Sequence, residues 1–202
     1  PEFTAELPTL HFPEDDSLFY APENWRAYVD DPDHADSLLH FDVLASRYLD
    51  VHLLEGVFRF RAPQNWFGTD TLELSVSDGE RADTSVFHIR VASVNDAPVI
   101  SGLPDSVMFF NDTTYILMLT DYVTDVDHPD STLSWEFSVT NDSLEYTLNM
   151  PAGELILRAP GFSGTVYLNV TVTDDSMATA MDTLQVVVEQ VTALEDALFS
   201  GI

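Results

Sequence analysis

Asp31-Pro32-Asp33-His34-Ala35-Asp36-Ser37 returns 94 residues later as Asp125-Val126-Asp127-His128-Pro129-Asp130-Ser131, with Val94-Asn95-Asp96-Ala97-Pro98-Val99 between the copies. Internal self-similarity at a fixed period restricts the fold more than composition can, because each period must be one small structural unit. The second halves match as well: Arg61-Ala62-Pro63 with Arg158-Ala159-Pro160, Gly68-Thr69 with Gly164-Thr165, and Val76-Ser77-Asp78 with Val172-Thr173-Asp174. Two homologous domains are expected, over 1–94 and 99–191, joined by 95–98. Residues 192–202 do not repeat the joint motif and are read as a C-terminal tail or the start of a further unit.

Apolar alternation with period two runs through both copies. Leu72, Leu74 and Val76 match Leu168, Val170 and Val172, and Phe87, Ile89 and Val91 match Leu184, Val186 and Val188. Leu39-Phe41-Val43 corresponds to Leu133-Trp135-Phe137, and Phe58-Phe60 to Leu155-Leu157. Each set lines one face of a strand. With Gly, Pro, Asn and Asp turns between them and no helix-length periodicity, the strands predict an all-β chain. Its form is two tandem antiparallel β-sandwiches of about seven strands each. The joint is too short to flex freely: Pro98 fixes its own φ and holds Ala97 in extended geometry.

The charge balance bears on partners. Asp and Glu number 35 against seven basic residues, all Arg, for a formal net charge of −28. Without a basic stripe the surface repels phosphates, so nucleic acid and anionic membranes are excluded as partners, and cations are attracted. The chain has no Cys, so stability must come from packing or bound metal. It begins at Pro1 without a charged and apolar leader and has no apolar run of bilayer length, as expected of a segment from something longer.

Asp125 and Asp127 flank one residue, so in an extended loop their carboxylates project to the same side, about 7 Å apart along the chain. Hard cations such as Ca2+ take six to eight oxygens from carboxylates, Asn side chains, carbonyls and water. Asn95 and Asp96 supply such oxygens at the joint, and Asp174 ends a strand expected to finish at the same pole. These five residues are expected to converge. Asp31, Asp33 and Asp78 repeat the pattern in the first unit as a weaker second site, without an upstream joint. A solvated Asx turn is the competing reading of each Asp-x-Asp. His34 and His128, beside these loops, are read as surface residues.

The joint motif, the Asp-x-Asp loops, the Val76-Ser77-Asp78-Gly79 strand end and Asn65-Trp66-Phe67-Gly68-Thr69 before an alternating strand resemble the cadherin-like, Ig-like tandem repeats of large bacterial surface proteins. The resemblance covers nearly the whole chain. It implies a Greek-key sandwich in each unit, an extracellular, cell-surface location and a non-catalytic role in adhesion. It also implies calcium between successive domains, held by Asn95, Asp96, Asp125, Asp127, Asp174 and Glu14. The chain departs from cadherins at Ser93, where an acidic residue is usual, and at Pro63-Gln64-Asn65-Trp66, which replaces an acidic motif. Fewer carboxylates imply fewer ions, held more weakly. Partners implied are neighbouring repeats and a cell-surface protein or glycan receptor.

Enzymatic signatures are absent from the sequence. Gly161-Phe162-Ser163-Gly164 lacks the strand-to-helix context of a nucleophile elbow, and paired carboxylates on one loop do not flank a bond from opposite sides. The alternative to a structural repeat is a pair of carbohydrate-binding modules using Trp25, Trp66, Tyr48 and Tyr20 as an aromatic platform, although each is also a natural core or rim residue.

Overall fold

Alternating apolar residues meet across the longest strands. In the first unit Leu72, Leu74 and Val76 are wholly buried, and in the second so are Leu168 and Val172. The computed structural model describes residues 1–35 and 38–191; the 192–202 segment lies outside the described residues. The chain divides into two units, Pro1–Val94 and Asn95–Ile202. Among the described residues no helix is long and apolar enough to cross a membrane.

The first unit runs through β1 (Glu2–Phe3), β2 (Leu10–Pro13), β3 (Ser17–Tyr20), β4 (Val29–Asp30), β5 (His40–Ala45), β6 (Asp50–Leu54), β7 (Val57–Arg61), β8 (Gly68–Ser77) and β9 (Ala82–Ala92). A four-stranded sheet has the order β2-β9-β8-β5 and a three-stranded sheet β3-β7-β6, while β1 and β4 form a short separate ladder. Seven principal strands in two sheets make a sandwich, antiparallel except where β2 lies parallel to β9, with Leu10 opposite Ile89. That exception has a local cause. After β2 the chain crosses to the other sheet through Asp15, at φ 60°, instead of folding back as a hairpin.

The second unit repeats this plan with β10 (Val99–Ile100), β11 (Ser106–Phe110), β12 (Tyr115–Met118), β13 (Val123–Thr124), β14 (Ser134–Val139), β15 (Glu145–Asn149), β16 (Glu154–Arg158), β17 (Gly164–Thr173) and β18 (Thr179–Glu189). Its sheets are β11-β18-β17-β14 and β12-β16-β15, with β10 paired to β13. The repeat read from sequence is therefore a repeat of topology, strand for strand.

Each core fills the space between its two sheets. Trp25, on a short 3-10 turn over Pro22–Tyr28, is completely buried and packs its ring against Tyr20, Phe41, Phe58 and Phe87 at centroid distances of 4.9 to 6.0 Å. Leu119, on the corresponding turn of the second unit, is 1% exposed. Burial of side chains of this size contributes about 1.5–3 kcal/mol each. Gly68 and Gly164 open β8 and β17 at φ +146° and +145°, where a Cβ would stand 3.2 Å from the Trp66 ring and 3.1 Å from the Phe162 ring. The recurring Gly-Thr pair marks a backbone conformation that L side chains rarely adopt.

A small apolar cluster of Val123, Leu133 and Val172 fixes one end of the second sandwich. Val123 lies two residues before Asp125, Leu133 closes the loop that follows, and Val172 lies two residues before Asp174. Three buried aliphatic side chains thus set the backbone from which two acidic residues project.

Candidate metal centre

At this end of the second unit, the Asp125 carboxylate turns inward and its own loop wraps around it. Asp125 Oδ1 accepts the backbone N–H groups of Asp127 (2.9 Å) and His128 (2.8 Å). The side chain has no exposed surface, and Oδ2 has no hydrogen-bond partner among the described residues. Asp174, 3% exposed, stands at the end of β17. Its Oδ1 accepts from the Ala178 N–H (2.8 Å) and its Oδ2 from the Asn95 amide (2.7 Å). The Asn95 hydrogen bond, reinforced by the Ala178 and Ser176 N–H groups and by nearby His128, outweighs burial and lowers the Asp174 pKa. The carboxylate is held ionised.

Asn95 and Asp96 close the arrangement from the start of the unit, since the Asp96 N–H donates to Asp127 Oδ2 at 2.7 Å. Hydrogen bonds therefore link Asn95 to Asp174, Asp96 to Asp127 and Asp127 to Asp125 within one unit. Asp125, His128 and Asp174 each place one ligand atom within 4.8 Å of the others. Asp127 is not one of that triad; its Oδ2 faces the Asp96 N–H.

The first unit builds the same end. Asp31 Oδ1 accepts the N–H groups of Asp33 and His34, both at 3.0 Å, and Asp78 Oδ1 accepts those of Glu80 and Arg81. Asp31, His34 and Asp78 form the equivalent triad. The Pro1 ammonium nitrogen lies 3.1 Å from Asp31 Oδ2 and 3.9 Å from Asp78 Oδ2. Burial pushes the Asp31 carboxyl upward, but the Asp33 and His34 N–H groups and the ammonium outweigh it and bring the pKa down to about 2. Asp33 is exposed and stands apart from the triad.

Glu14 lies in the first unit, 4% exposed at the end of β2. Its N–H donates to the Ala92 carbonyl, and its Oε1 accepts the Val94 N–H at 2.8 Å. It secures the last residue of that unit.

Sequence reasoning missed the histidines. His34 and His128 were expected on the surface, yet their side chains are 29% and 18% exposed and their Nδ1 atoms face the acidic groups. The available signal was positional, because each follows an Asp by three residues, on the turn that wraps that carboxylate. Of the aromatic candidates, Trp25 and Tyr20 belong to the core. Tyr48 stacks on Trp66 at 5.0 Å, with the Arg47 guanidinium 5.0 Å from its ring centre, so that ring is already engaged.

No protein-family model matches the sequence, and no curated protein does. Among solved structures the chain is similar to human protocadherin-24 EC1-2, with 17% identity, a TM-score of 0.58, and 95% of this chain and 99% of that one covered. It is also similar to the protocadherin GammaB4 extracellular domain, with 19% identity and a TM-score of 0.52 over 93% of this chain. An endo-fucoidan hydrolase of glycoside hydrolase family 107 superposes with a TM-score of 0.37, too loosely to carry an argument. The chain spans 29% of that hydrolase and 34% of the GammaB4 structure. The fold of this chain is cadherin-like.

Proposed function

We propose that the chain is a non-catalytic repeat segment of an extracellular, cell-surface adhesin, in which calcium at the 95–98 joint stiffens the stalk. The observation that carries this reading is the Asp125 carboxylate, wholly buried with one oxygen unpartnered, beside the buried Asp174. Two ionised carboxylates withdrawn from water in one place are unfavourable unless a cation or hydrogen-bond donors compensate them. The donors present leave Asp125 Oδ2 for a cation.

The donor set suits a hard ion. Asp125, Asp127, Asp174, Asp96 and the amide oxygen of Asn95 are oxygen ligands of the kind Ca2+ takes. Asn95 now offers its nitrogen to Asp174, and a half-turn of the amide would present its oxygen instead. Bound calcium would neutralise the acidic end and hold the residues that open the second unit. Val94 is bonded within the first unit through Glu14, and Asn95 within the second through Asp174. Glu14 contributes by fixing Val94 and is the remaining carboxylate of the proposed joint set. The fold and the acidic surface support an adhesion-type repeat whose partners are neighbouring repeats and a cell-surface protein or glycan.

Thermal melting tests the reading. At a calcium concentration 100 times the dissociation constant, a folded-state ligand adds about 2.7 kcal/mol, so the melting temperature should rise with calcium and fall in EDTA. Superimposable melts would remove calcium from the account.

A further inference from the structure

Oxygen ligands suffice for calcium, but the buried end of the second unit also contains a nitrogen. His128 Nδ1 is sequestered from solvent, has no hydrogen-bond partner among the described residues, and stands 3.4 Å from Asp125 Oδ1. The Asp125 side chain is wholly buried with Oδ2 likewise unpartnered, and an Asp174 carboxylate oxygen completes a group spanning no more than 4.8 Å. The ring is placed by the turn itself. The His128 N–H donates to Asp125 Oδ1, which brings the imidazole over the carboxylate three residues earlier.

An unpaired imidazole nitrogen beside carboxylate oxygens differs chemically from an all-oxygen cage. Imidazole nitrogen suits zinc and its first-row neighbours, whereas calcium and magnesium select oxygen. The Asp125 oxygen without a hydrogen-bond partner is Oδ2, so Oδ2 and His128 Nδ1 are the two atoms of this pair left to bind an ion. In the first unit the nearer oxygen belongs to the strand-end aspartate instead, with His34 Nδ1 3.4 Å from Asp78 Oδ2 and 3.8 Å from Asp31 Oδ1.

We propose that Asp125, His128 and Asp174 form a site for a divalent transition metal of the zinc class, with His128 Nδ1 as the nitrogen ligand. The site has three protein ligands and leaves a coordination position for water. The inference rests on the reading of this end as a cation site, and because Asp125 and Asp174 serve both ions, zinc and calcium compete there. Such competition would make the calcium-dependent behaviour of the repeat sensitive to transition metals.

The test is calorimetric titration of the EDTA-stripped whole chain at neutral pH with zinc alone, calcium alone, and zinc in saturating calcium. The variants are His128→Gln and His34→Gln. The expected result is a saturable zinc event that calcium weakens, that His34→Gln retains, and that His128→Gln weakens at least about tenfold, the lower bound found even for groups that merely orient a ligand. Calcium binding should survive His128→Gln, which also shows that the variant is folded. Zinc affinity unchanged by His128→Gln overturns the inference and leaves the calcium reading standing. Zinc binding through His128 without any calcium event supports the site and overturns the calcium reading. Absence of both events overturns both.

Discussion

Asp70 shows how one buried charge can organise a loop. It is 2% exposed, and its Oδ2 accepts from the Ser46 hydroxyl and the N–H groups of Arg47, Tyr48 and Leu49, while Oδ1 accepts from the Thr71 N–H. Burial raises its pKa, but the Tyr48 N–H, the Ser46 hydroxyl and the Leu49 and Thr71 N–H groups outweigh it, so the pKa is lowered. A carboxylate depressed in the folded state stabilises above its unfolded value, about 3.9, and this contribution is lost as pH falls through the folded value. Asp70→Ala should destabilise the first unit by about 3 kcal/mol, since it leaves several buried N–H groups without an acceptor. Its melting temperature should also depend less on acid pH than the parent's. At Asp125 the expected sign is opposite: without metal, Asp125→Asn should melt no lower than the parent, because the amide relieves repulsion with Asp174. A large loss of stability in EDTA would mean that Asp125 is a packing residue.

Strands were legible because their apolar sets are long and strictly alternating: Leu72-Leu74-Val76, Phe87-Ile89-Val91 and their second copies all face the cores. The Asp-x-Asp loops and strand-end aspartates were legible through repetition. Side-chain direction within irregular turns was not. His34 and His128 have no periodicity to reveal which way their rings point, and Asp70 lacks a second copy, since Val166 stands across from Val186 at the start of β17, where Asp70 stands across from Ile89 in β8. The parallel pairing of β2 with β9 depends on where the chain changes sheets, which a few residues around Asp15 decide. At this scale, Trp25→Ala should cost about 3–5 kcal/mol by opening a cavity among four aromatic rings. Gly164→Ala should cost about 1–3 kcal/mol from backbone strain at positive φ. Chemical denaturation, followed by signals from each unit, would check both. A neutral Gly164→Ala would mean that the backbone there can relax.

Across the whole molecule, two topologically matched sandwiches carry a strongly acidic surface, with a formal net charge of −28, and each places a triad of two Asp and one His at one end. The difference between the ends sets an order of filling. The second unit adds Asn95 and Asp96 to its acidic set, and the described residues of the first offer no such pair. More oxygen ligands give tighter calcium binding, so the second unit should fill first. Small-angle scattering should show a narrower range of conformations with calcium than with EDTA, a difference lost in the Asp125→Ala, Asp127→Ala double variant. The most direct measurement is a calorimetric calcium titration of the whole chain, compared with Asp125→Asn and with Asp31→Asn. The expected result is a tight saturable event that Asp125→Asn abolishes and Asp31→Asn leaves intact. An unchanged event in Asp125→Asn, or no event in the parent, would contradict calcium binding at this buried carboxylate.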